Sequence, residues 1–498
     1  MPRPKTFVRP QPAVGASGVA LAAGPLESAL EALMGELEIP GDFSPQVLAD
    51  AEASAKDPDL PSVDWTEIPF VTIDPPSAMD LDQAVHLERR ASGYRVRYAI
   101  ADVPAFVRPG SPMDQEARRR GQTLYAPHRR VPLHPAVVSE SAASLLPLQV
   151  RPAFVWVIDL DADGEPVEVD VVRAMVRSTA RHDYEAVQDA HTAGRIPEPF
   201  TLLPVIGRQL IAQERARGGA SLGIPDQEID EVEGGYVLRY RPKSEVEDWN
   251  AQISLLTGMV AADLMLAAGV GLLRTMPAPD DRTVSRFRRQ AKALGANWPA
   301  EQEAGEFLRS LDPRDPSQLA LLHESAVLFR GAGYTPFDGA APERVEQAAV
   351  AAEYAHVTAP LRRLVDRFTL VACESICRDT PVPDWVRQAL PALPEAMMAS
   401  DRLSGTLERA SIELAEAATL AHRVGEVFDA VVVDDGGGRQ PREDGTERPH
   451  LVQLLDPAVL AGCSGAPALG TAVKVRLDEA DVQRRVVRFS AVSPVDGP

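Results

Sequence analysis

Three aspartates stand close together in the segment TIDPPSAMDLDQAV. Asp74 follows an apolar run, and the two prolines after it exclude a helix at this point. Asp80 and Asp82 are separated by a single residue. In an extended chain this spacing places both carboxylates on one face and Met79 and Leu81 on the other. The three carboxylates can therefore converge.

Carboxylates a few ångströms apart repel one another, and proteins usually relieve that repulsion with a hard divalent cation bound through oxygen. Magnesium is the natural candidate for this cation, and manganese is a possible substitute. For the bare spacing, the commoner explanation is that Asp74 caps a turn while Asp80 and Asp82 are solvated loop acids. The surrounding sequence has to decide between the two interpretations.

The elements around these acids have the pattern of β-strands. IPFVTI is an apolar run, QAVHLE alternates, YRVRYAIADV alternates and then becomes apolar, and AFVWVIDLDADGEPVEVDVVRAMV predicts two strands around an Asp-Gly turn. Beyond about residue 245 the sequence predicts helices, and ISLLTGMVAADLMLAAGVGLL reads as one buried core helix. The last segment predicts short strands separated by glycine-rich turns, which is typical of a small closed barrel.

The amino-terminal part predicts a loose tail over residues 1–24, followed by two helices. LESALEALMGELEIP shows helical spacing of apolar residues, and Ser44 with Pro45 after it marks the start of the second helix. Two interpretations of this helix-turn-helix pattern stay open, namely contact with nucleic acid and a packing module.

The chain has 498 residues and a formal net charge of −21, which argues against a protein that coats nucleic acid non-specifically. Its three cysteines form neither a disulfide framework nor a four-ligand zinc set. The amino terminus has no secretory core, and no window predicts a membrane span. We therefore expect a cytoplasmic protein.

Two sequence segments resemble the ribonuclease II family. The first runs from IPFVTIDPPSAMDLDQAVHLE through RGQTLYAPHRRVPLHP to SLLPLQVRP, and the second is EYAHVTAPLRRLVD. The resemblance implies an α+β multidomain protein. Its expected parts are a small helical amino-terminal domain (1–64), an RNB catalytic domain with a mixed sheet and helices (65–424), and a carboxy-terminal OB-fold barrel that binds RNA (425–498).

The resemblance also implies roles for single residues. The expected metal ligands are Asp74, Asp80, Asp82 and Gln83. The expected catalytic residues are Asp80, Asp82 and Arg362, the last of which would face the scissile phosphate. The expected RNA-binding residues are Tyr125, which would stack on the 3′-terminal base, Arg363 and Glu408.

Three features depart from the family pattern. Gln83 stands where the family usually has a fourth aspartate, so a second metal would bind more weakly. GGASLGIPDQE lacks an aromatic that many members use opposite Tyr125, and ISLLTGM lacks an acidic pair that relatives carry.

The leading hypothesis is a metal-dependent, processive 3′-to-5′ exoribonuclease that hydrolyses single-stranded RNA to nucleoside 5′-monophosphates. We expect a monomer with no membrane association and no obligate protein partner. The alternative is a catalytically weakened family member that binds RNA. A phosphatase or DNA nuclease on another fold would explain the acids but not the TAPLRR segment or the terminal barrel.

Overall fold

A computed structural model describes residues 6–9, 25–76, 78–220, 225–232, 235–434 and 449–492. The α-helices of this part are α1 (Pro25–Glu36), α2 (Pro45–Lys56), α3 (Pro112–Arg120), α4 (Tyr184–Thr192), α5 (Leu203–Ala216), α6 (Glu245–Ala268), α7 (Asp281–Ala293), α8 (Ala304–Arg309), α9 (Pro316–Glu324), α10 (Leu364–Cys377), α11 (Asp384–Ala389) and α12 (Leu393–Leu420). Its strands are β1 (Thr6–Arg9), β2 (Val63–Asp64), β3 (Phe70–Ile73), β4 (Gln83–Arg90), β5 (Gly93–Ala101), β6 (Leu124–Tyr125), β7 (Arg130–Val131), β8 (Val150–Leu160), β9 (Pro166–His182), β10 (Asp226–Val232), β11 (Gly235–Arg241), β12 (Val270–Thr275), β13 (Gly333–Asp338), β14 (Glu346–Gln347), β15 (Ala352–Glu353), β16 (Val427–Asp434), β17 (His450–Gln453), β18 (Leu460–Ser464), β19 (Ala472–Asp481) and β20 (Val486–Ala491).

The largest sheet has six strands in the order β2-β9-β3-β4-β5-β8, and it closes because β9 also pairs with β8. The early part of β9 is antiparallel to β8, and its last residues, Ser178 to His182, run parallel to β3. The predicted β8–β9 hairpin is present, and the predicted strands β4 and β5 pair with each other as a second hairpin. Gly164 has φ +87° in the Asp-Gly turn, a conformation that glycine adopts without strain.

Side chains of this sheet pack on both of its faces. On β5, Val96 and Tyr98 belong to the main apolar cluster, which also contains residues of α6 and α10, whereas Ala99 and Ala101 belong to a second cluster on the other face. A strand that is buried on both faces loses its polar alternation. This explains why YRVRYAIADV becomes continuously apolar in its second half.

The two amino-terminal helices form as the sequence predicted. Ser44 caps α2 by accepting a hydrogen bond from the Val47 amide at 3.4 Å. The apolar residues of α1 and α2 lie in two different clusters, each shared with later parts of the chain. The predicted loose tail is wrong at one place, because Thr6–Arg9 forms a strand parallel to β10. Residues 1–5 and 10–24 lie outside the described residues.

The prediction of one long core helix in ISLLTGMVAADLMLAAGVGLL is wrong at its end. Helix α6 stops at Ala268, Gly269 adopts φ +72°, and Val270–Thr275 forms β12, which pairs with β13. Helix α6 is long and apolar enough to cross a membrane by length and composition. However, half of its most apolar window is buried, and residues such as Trp249 and Ile253 lie in the main core.

Strands β16–β20 form the closed barrel that the sequence predicted, in the order β16-β17-β18-β20-β19. Strand β18 of this barrel was not predicted. The antiparallel pair β12–β13 and the β14–β15 hairpin also lie in the region that the sequence predicted to be helical. The long helix α12 connects the barrel to the rest of the molecule, because it packs against β19 and β20 of the barrel and also against α1 and β6. The molecule is therefore an α+β protein with a carboxy-terminal OB-type barrel, as predicted.

Candidate active site

The three aspartates lie on the connection between β3 and β4. Asp74 follows the last residue of β3, and its amide donates to the His182 carbonyl at 3.1 Å. Ser144 fixes the second half of the connection, because its hydroxyl accepts from the Leu81 amide at 2.9 Å and donates to the Met79 carbonyl at 2.7 Å. Leu81 is fully buried and Met79 is 41% exposed, so the side chains opposite the acids do not share one environment.

Asp82 is buried and is held from two sides. The Leu361 amide donates to Asp82 Oδ1 at 2.8 Å, and Arg362 Nε lies 3.3 Å from Asp82 Oδ2. Burial raises the pKa of Asp82 to about 8, and the negative charges of Asp80 and Asp366 add to this shift. The positive charge of Arg362 and the Leu361 amide oppose it without cancelling it. Burial therefore disfavours the ionised form of Asp82, and a further cation beside it would stabilise that form.

Asp80 forms an ion pair with a residue that the sequence analysis did not assign to the site. Arg130 contacts Asp80 Oδ1 through one guanidinium nitrogen and Glu140 Oε1 at 2.8 Å through another. The sequence shows Arg129 and Arg130 as a local basic pair, but nothing in the pattern connects them to an acid 50 residues earlier. Arg130 lies in β7, directly opposite Tyr125 in β6.

Arg362 comes from the TAPLRR segment, nearly 300 residues after the aspartates. Burial alone would lower its pKa, but Tyr125 and Asp82 raise it above its ordinary value. The guanidinium side chain remains 35% exposed, so part of it is accessible to a ligand. A charged, planar group in this position suits a phosphate oxygen.

Tyr125 shares this environment. Burial raises the pKa of Tyr125 to about 12, with Arg362 lowering it and Asp80 and Asp82 raising it. Asp74 adjoins the same cluster through Tyr98, whose pKa is raised first by burial and then by the charges of Asp74 and Asp82. The structure thus brings residues from β3–β4, β6 and the TAPLRR segment into one site.

Two of the remaining predicted residues, Gln83 and Arg363, lie beside this cluster. The side-chain amide of Gln83 donates to the Thr358 carbonyl, which ties β4 to the TAPLRR segment. Arg363 donates to Asp366, with contacts of 2.9 and 2.7 Å; burial lowers the pKa of Arg363, but the pairing with Asp366 raises it above its ordinary value. Glu408 is half-buried on α12, next to Leu407, which shares an apolar cluster with the β6–β7 hairpin.

The residues of this site have the donor chemistry of a magnesium site, although they are not gathered around one point. In the part of the chain that the structure describes, no group of three or more Asp, Glu, His or Cys side chains could hold a metal ion as it stands. Asp80 and Asp82 nevertheless provide neighbouring carboxyl oxygens, and the buried Asp82 needs a further cation to be stable in its ionised form. Hard oxygen donors that lack a stabilising positive charge fit a divalent cation.

Comparison with known proteins identifies the family of this chain. The family model described as RNB domain matches residues 62–375, more than half of the chain. The model described as RNase II-type exonuclease C-terminal S1 domain matches residues 426–492. The chain therefore belongs to the ribonuclease II family of RNB-domain proteins, as the sequence resemblance indicated.

Among individual relatives, the chain is 28% identical over 333 residues to Ribonuclease R of Escherichia coli, covering 61% of this chain and 39% of that protein. It is 26% identical over 422 residues to Ribonuclease R of Thermotoga maritima, covering 80% of this chain and 59% of that protein. The chain thus spans less than two thirds of these relatives. The fold also resembles Mycoplasma genitalium RNase R in complex with ribose methylated single-stranded RNA, with a TM-score of 0.81, 17% identity, and coverage of 93% of this chain and 77% of that chain.

Proposed function

We propose that this protein is a divalent-metal-dependent 3′-to-5′ exoribonuclease that releases nucleoside 5′-monophosphates from single-stranded RNA. The observation that carries this proposal is the meeting of Asp80, Asp82, Arg362 and Tyr125 in one site, because a phosphodiesterase acting at a chain end needs these groups together. It needs carboxylates for a metal, a cation for the phosphate, and a flat surface for the terminal base. The names of the relatives and the RNA in the related structure support the same proposal.

In the proposed reaction, Tyr125 stacks on the 3′-terminal base and sets the last nucleotide in register. Arg362 donates to a non-bridging oxygen of the terminal phosphodiester and stabilises the charge that this oxygen gains in the transition state. Magnesium, which Asp74, Asp80 and Asp82 would hold, supplies a low-pKa water and Lewis acidity when it is bound. Manganese is a suitable substitute because it accepts the same oxygen ligands.

Processive release requires that the shortened RNA stay attached between steps. The carboxy-terminal barrel supports such attachment, because OB-type barrels bind single-stranded nucleic acid. We extend the proposal to a monomer that acts in the cytoplasm without an obligate protein partner.

The test is the variant Asp82→Asn, assayed with RNA labelled at the 3′ end and, separately, at the 5′ end, with and without magnesium. Asparagine keeps an oxygen that accepts from the Leu361 amide, so the fold is held while the charge is removed. We expect wild-type protein to release labelled mononucleotides from the 3′ end only, and Asp82→Asn to reduce that release by about 100-fold or more while RNA binding stays within a few fold. Asp163→Asn, an exposed acid in the β8–β9 turn, is the matched control.

The same assay decides the alternative of a catalytically weakened RNA-binding protein, which Gln83 favours by removing one carboxylate. If the wild-type protein binds RNA and releases no mononucleotide with magnesium or manganese, the alternative is correct. If Asp82→Asn is as active as the wild type, the assignment of the metal site is wrong.

A further inference from the structure

The β6–β7 hairpin has two faces with different surroundings. Leu124 pairs with Val131, and Tyr125 pairs with Arg130. Residues directly opposite each other in an antiparallel pair point to the same side of the sheet. Tyr125 and Arg130 therefore share one face, which meets the charges of Asp80, whereas Leu124 and Val131 share the other.

The amino-terminal helix α1 covers the second face. Its buried residues Leu26, Leu30, Leu33 and Met34 lie at helical spacing and belong to the same apolar cluster as the back of the hairpin, namely Leu124, Ala126 and Val131. Strands of two residues are not stable on their own, so their geometry depends on what packs against them. The back of this hairpin has α1 and α12 for that purpose.

A single carboxylate of α1 fixes the tip of the hairpin. Glu31 accepts a hydrogen bond from His128 Nε2 at 2.9 Å, and Arg129 Nε lies 2.9 Å from the same carboxylate. His128 is in the turn, and Arg129 precedes Arg130 in β7. Glu31 therefore contacts the residues that connect the strand of Tyr125 to the strand of Arg130.

The connection between α1 and α2 holds the two ends of the hairpin. Arg120, which precedes the hairpin, donates to the Gly41 carbonyl at 2.7 Å and to the Pro132 carbonyl at 3.2 Å, just after β7. Its guanidinium carbon also lies 3.9 Å from the ring centroid of Phe43. Both ends and the tip of the hairpin are thus tied to the amino-terminal helices.

We propose that the amino-terminal helices brace this hairpin, and that Glu31 is a positioning residue that fixes Tyr125 for stacking on the terminal base. This inference rests on the proposed function, because it assigns to Tyr125 the terminal nucleotide of an RNA substrate. It also gives residues 25–56 a role as part of the active-site scaffold. Glu31 acts through the hairpin and does not touch the substrate.

The experiment compares Glu31→Ala with Glu36→Ala, a matched control on the same helix. Both glutamates are exposed, at 49% and 57%, and Glu36 pairs with Arg485 at 3.0 Å. Glu36→Ala removes one exposed ion pair, and Glu31→Ala removes the Arg129 ion pair and the His128 hydrogen bond, so we expect small losses of thermal stability from both. The probe is a short oligoadenylate that carries 2-aminopurine at its 3′ end. Quenching of the 2-aminopurine fluorescence measures how much of this base is stacked, and an Asp82→Asn background prevents hydrolysis.

We expect Glu31→Ala to lower the stacked fraction of the probe about two- to five-fold, the size of one charged pair, while Glu36→Ala leaves it unchanged. Tyr125→Ala should abolish the quenching, and Glu31→Ala should add nothing in the Tyr125→Ala background, because it acts through that ring. Equal quenching in the Glu31 and Glu36 variants would overturn the proposal, and so would quenching that survives Tyr125→Ala. Because the probe needs no hydrolysis, failure of the exoribonuclease activity in wild-type protein is recognised separately.

Discussion

Glu416 provides a direct test of how helix α12 joins the carboxy-terminal barrel. It is buried on α12, and its Oε1 accepts a hydrogen bond from the Leu460 amide of β18 at 3.0 Å. Burial raises the pKa of Glu416 to about 8, the Leu460 amide lowers it, and the nearby charge of Glu413 raises it further. The folded protein therefore holds this carboxyl protonated at pH values where the unfolded chain ionises it.

The sign of the effect follows from proton binding. Because the folded state binds this proton more tightly, the contribution of Glu416 to stability is complete below the unfolded pKa and is lost as the pH rises towards 8. At pH 7 the gap between the two pKa values corresponds to a loss of roughly 3 kcal/mol. Glu416→Gln keeps an oxygen for the Leu460 amide and cannot ionise, so it should remove this loss.

The measurement is thermal unfolding of both proteins between pH 5 and pH 8.5. We expect equal melting temperatures near pH 5 and an advantage for Glu416→Gln of about 3 to 6 °C at pH 8. Glu395→Gln, an exposed position in the first turn of the same helix, is the control and should follow the wild type throughout. Parallel curves for wild type and Glu416→Gln across the whole range would refute the reasoning.

Three further predictions concern the site and its support. Tyr125→Ala should lengthen the final undegraded oligonucleotide because the terminal base loses its stacking partner, and an unchanged product on a sequencing gel would remove Tyr125 from RNA binding. Asp114→Asn should lower stability by about 3 to 5 kcal/mol in urea unfolding, because the 1%-exposed side chain of Arg367 loses its counter-charge, and a loss under about 1 kcal/mol contradicts this. Gln83→Glu places a carboxylate against the Thr358 carbonyl, so the variant should melt below wild type without metal and gain more from added manganese. Equal responses of the two proteins to manganese would show that position 83 does not face the metal site.

The sequence predicted elements whose signals are local. Ser44 and Pro45 marked the start of α2, the Asp-Gly turn marked the β8–β9 hairpin, and period-two alternation marked β4. The failure at Val270–Thr275 has a physical cause. The apolar segment GVGLL is compatible with the end of a helix and with a buried strand. It forms a strand because Gly269 adopts a left-handed conformation and because the segment pairs with β13, which lies more than 50 residues away.

The candidate site shows the same division between local and distant information. Asp74, Asp80, Asp82, Arg362 and Tyr125 could be proposed from two sequence segments and a family resemblance. Other residues of the site could not be predicted from the sequence, because their roles depend on contacts between distant segments. Arg130 meets Asp80 across 50 residues and Glu31 meets His128 across 97, and no periodicity reports such distances.

The TAPLRR segment contributes to the site largely through its main chain. The Thr358 carbonyl accepts from Gln83, the Leu361 amide donates to Asp82 at 2.8 Å, and the Arg362 carbonyl accepts from the Thr123 amide at 2.9 Å. Asp366 fixes the segment from within, since its carboxylate accepts from the Ala359 amide at 2.7 Å. These bonds define the conformation of the segment independently of most of its side chains.

This arrangement explains why the two sequence segments are informative together and weak apart. A spacing of aspartates alone is compatible with solvated acids, because nothing in it requires their charges to be compensated. The TAPLRR segment brings the Leu361 amide to the buried carboxyl of Asp82 and places the positive charge of Arg362 beside it. A chain that contains both segments has the parts to bury Asp82 and to leave a cation beside it, and a carboxyl whose pKa is strongly shifted next to other acids indicates a functional site.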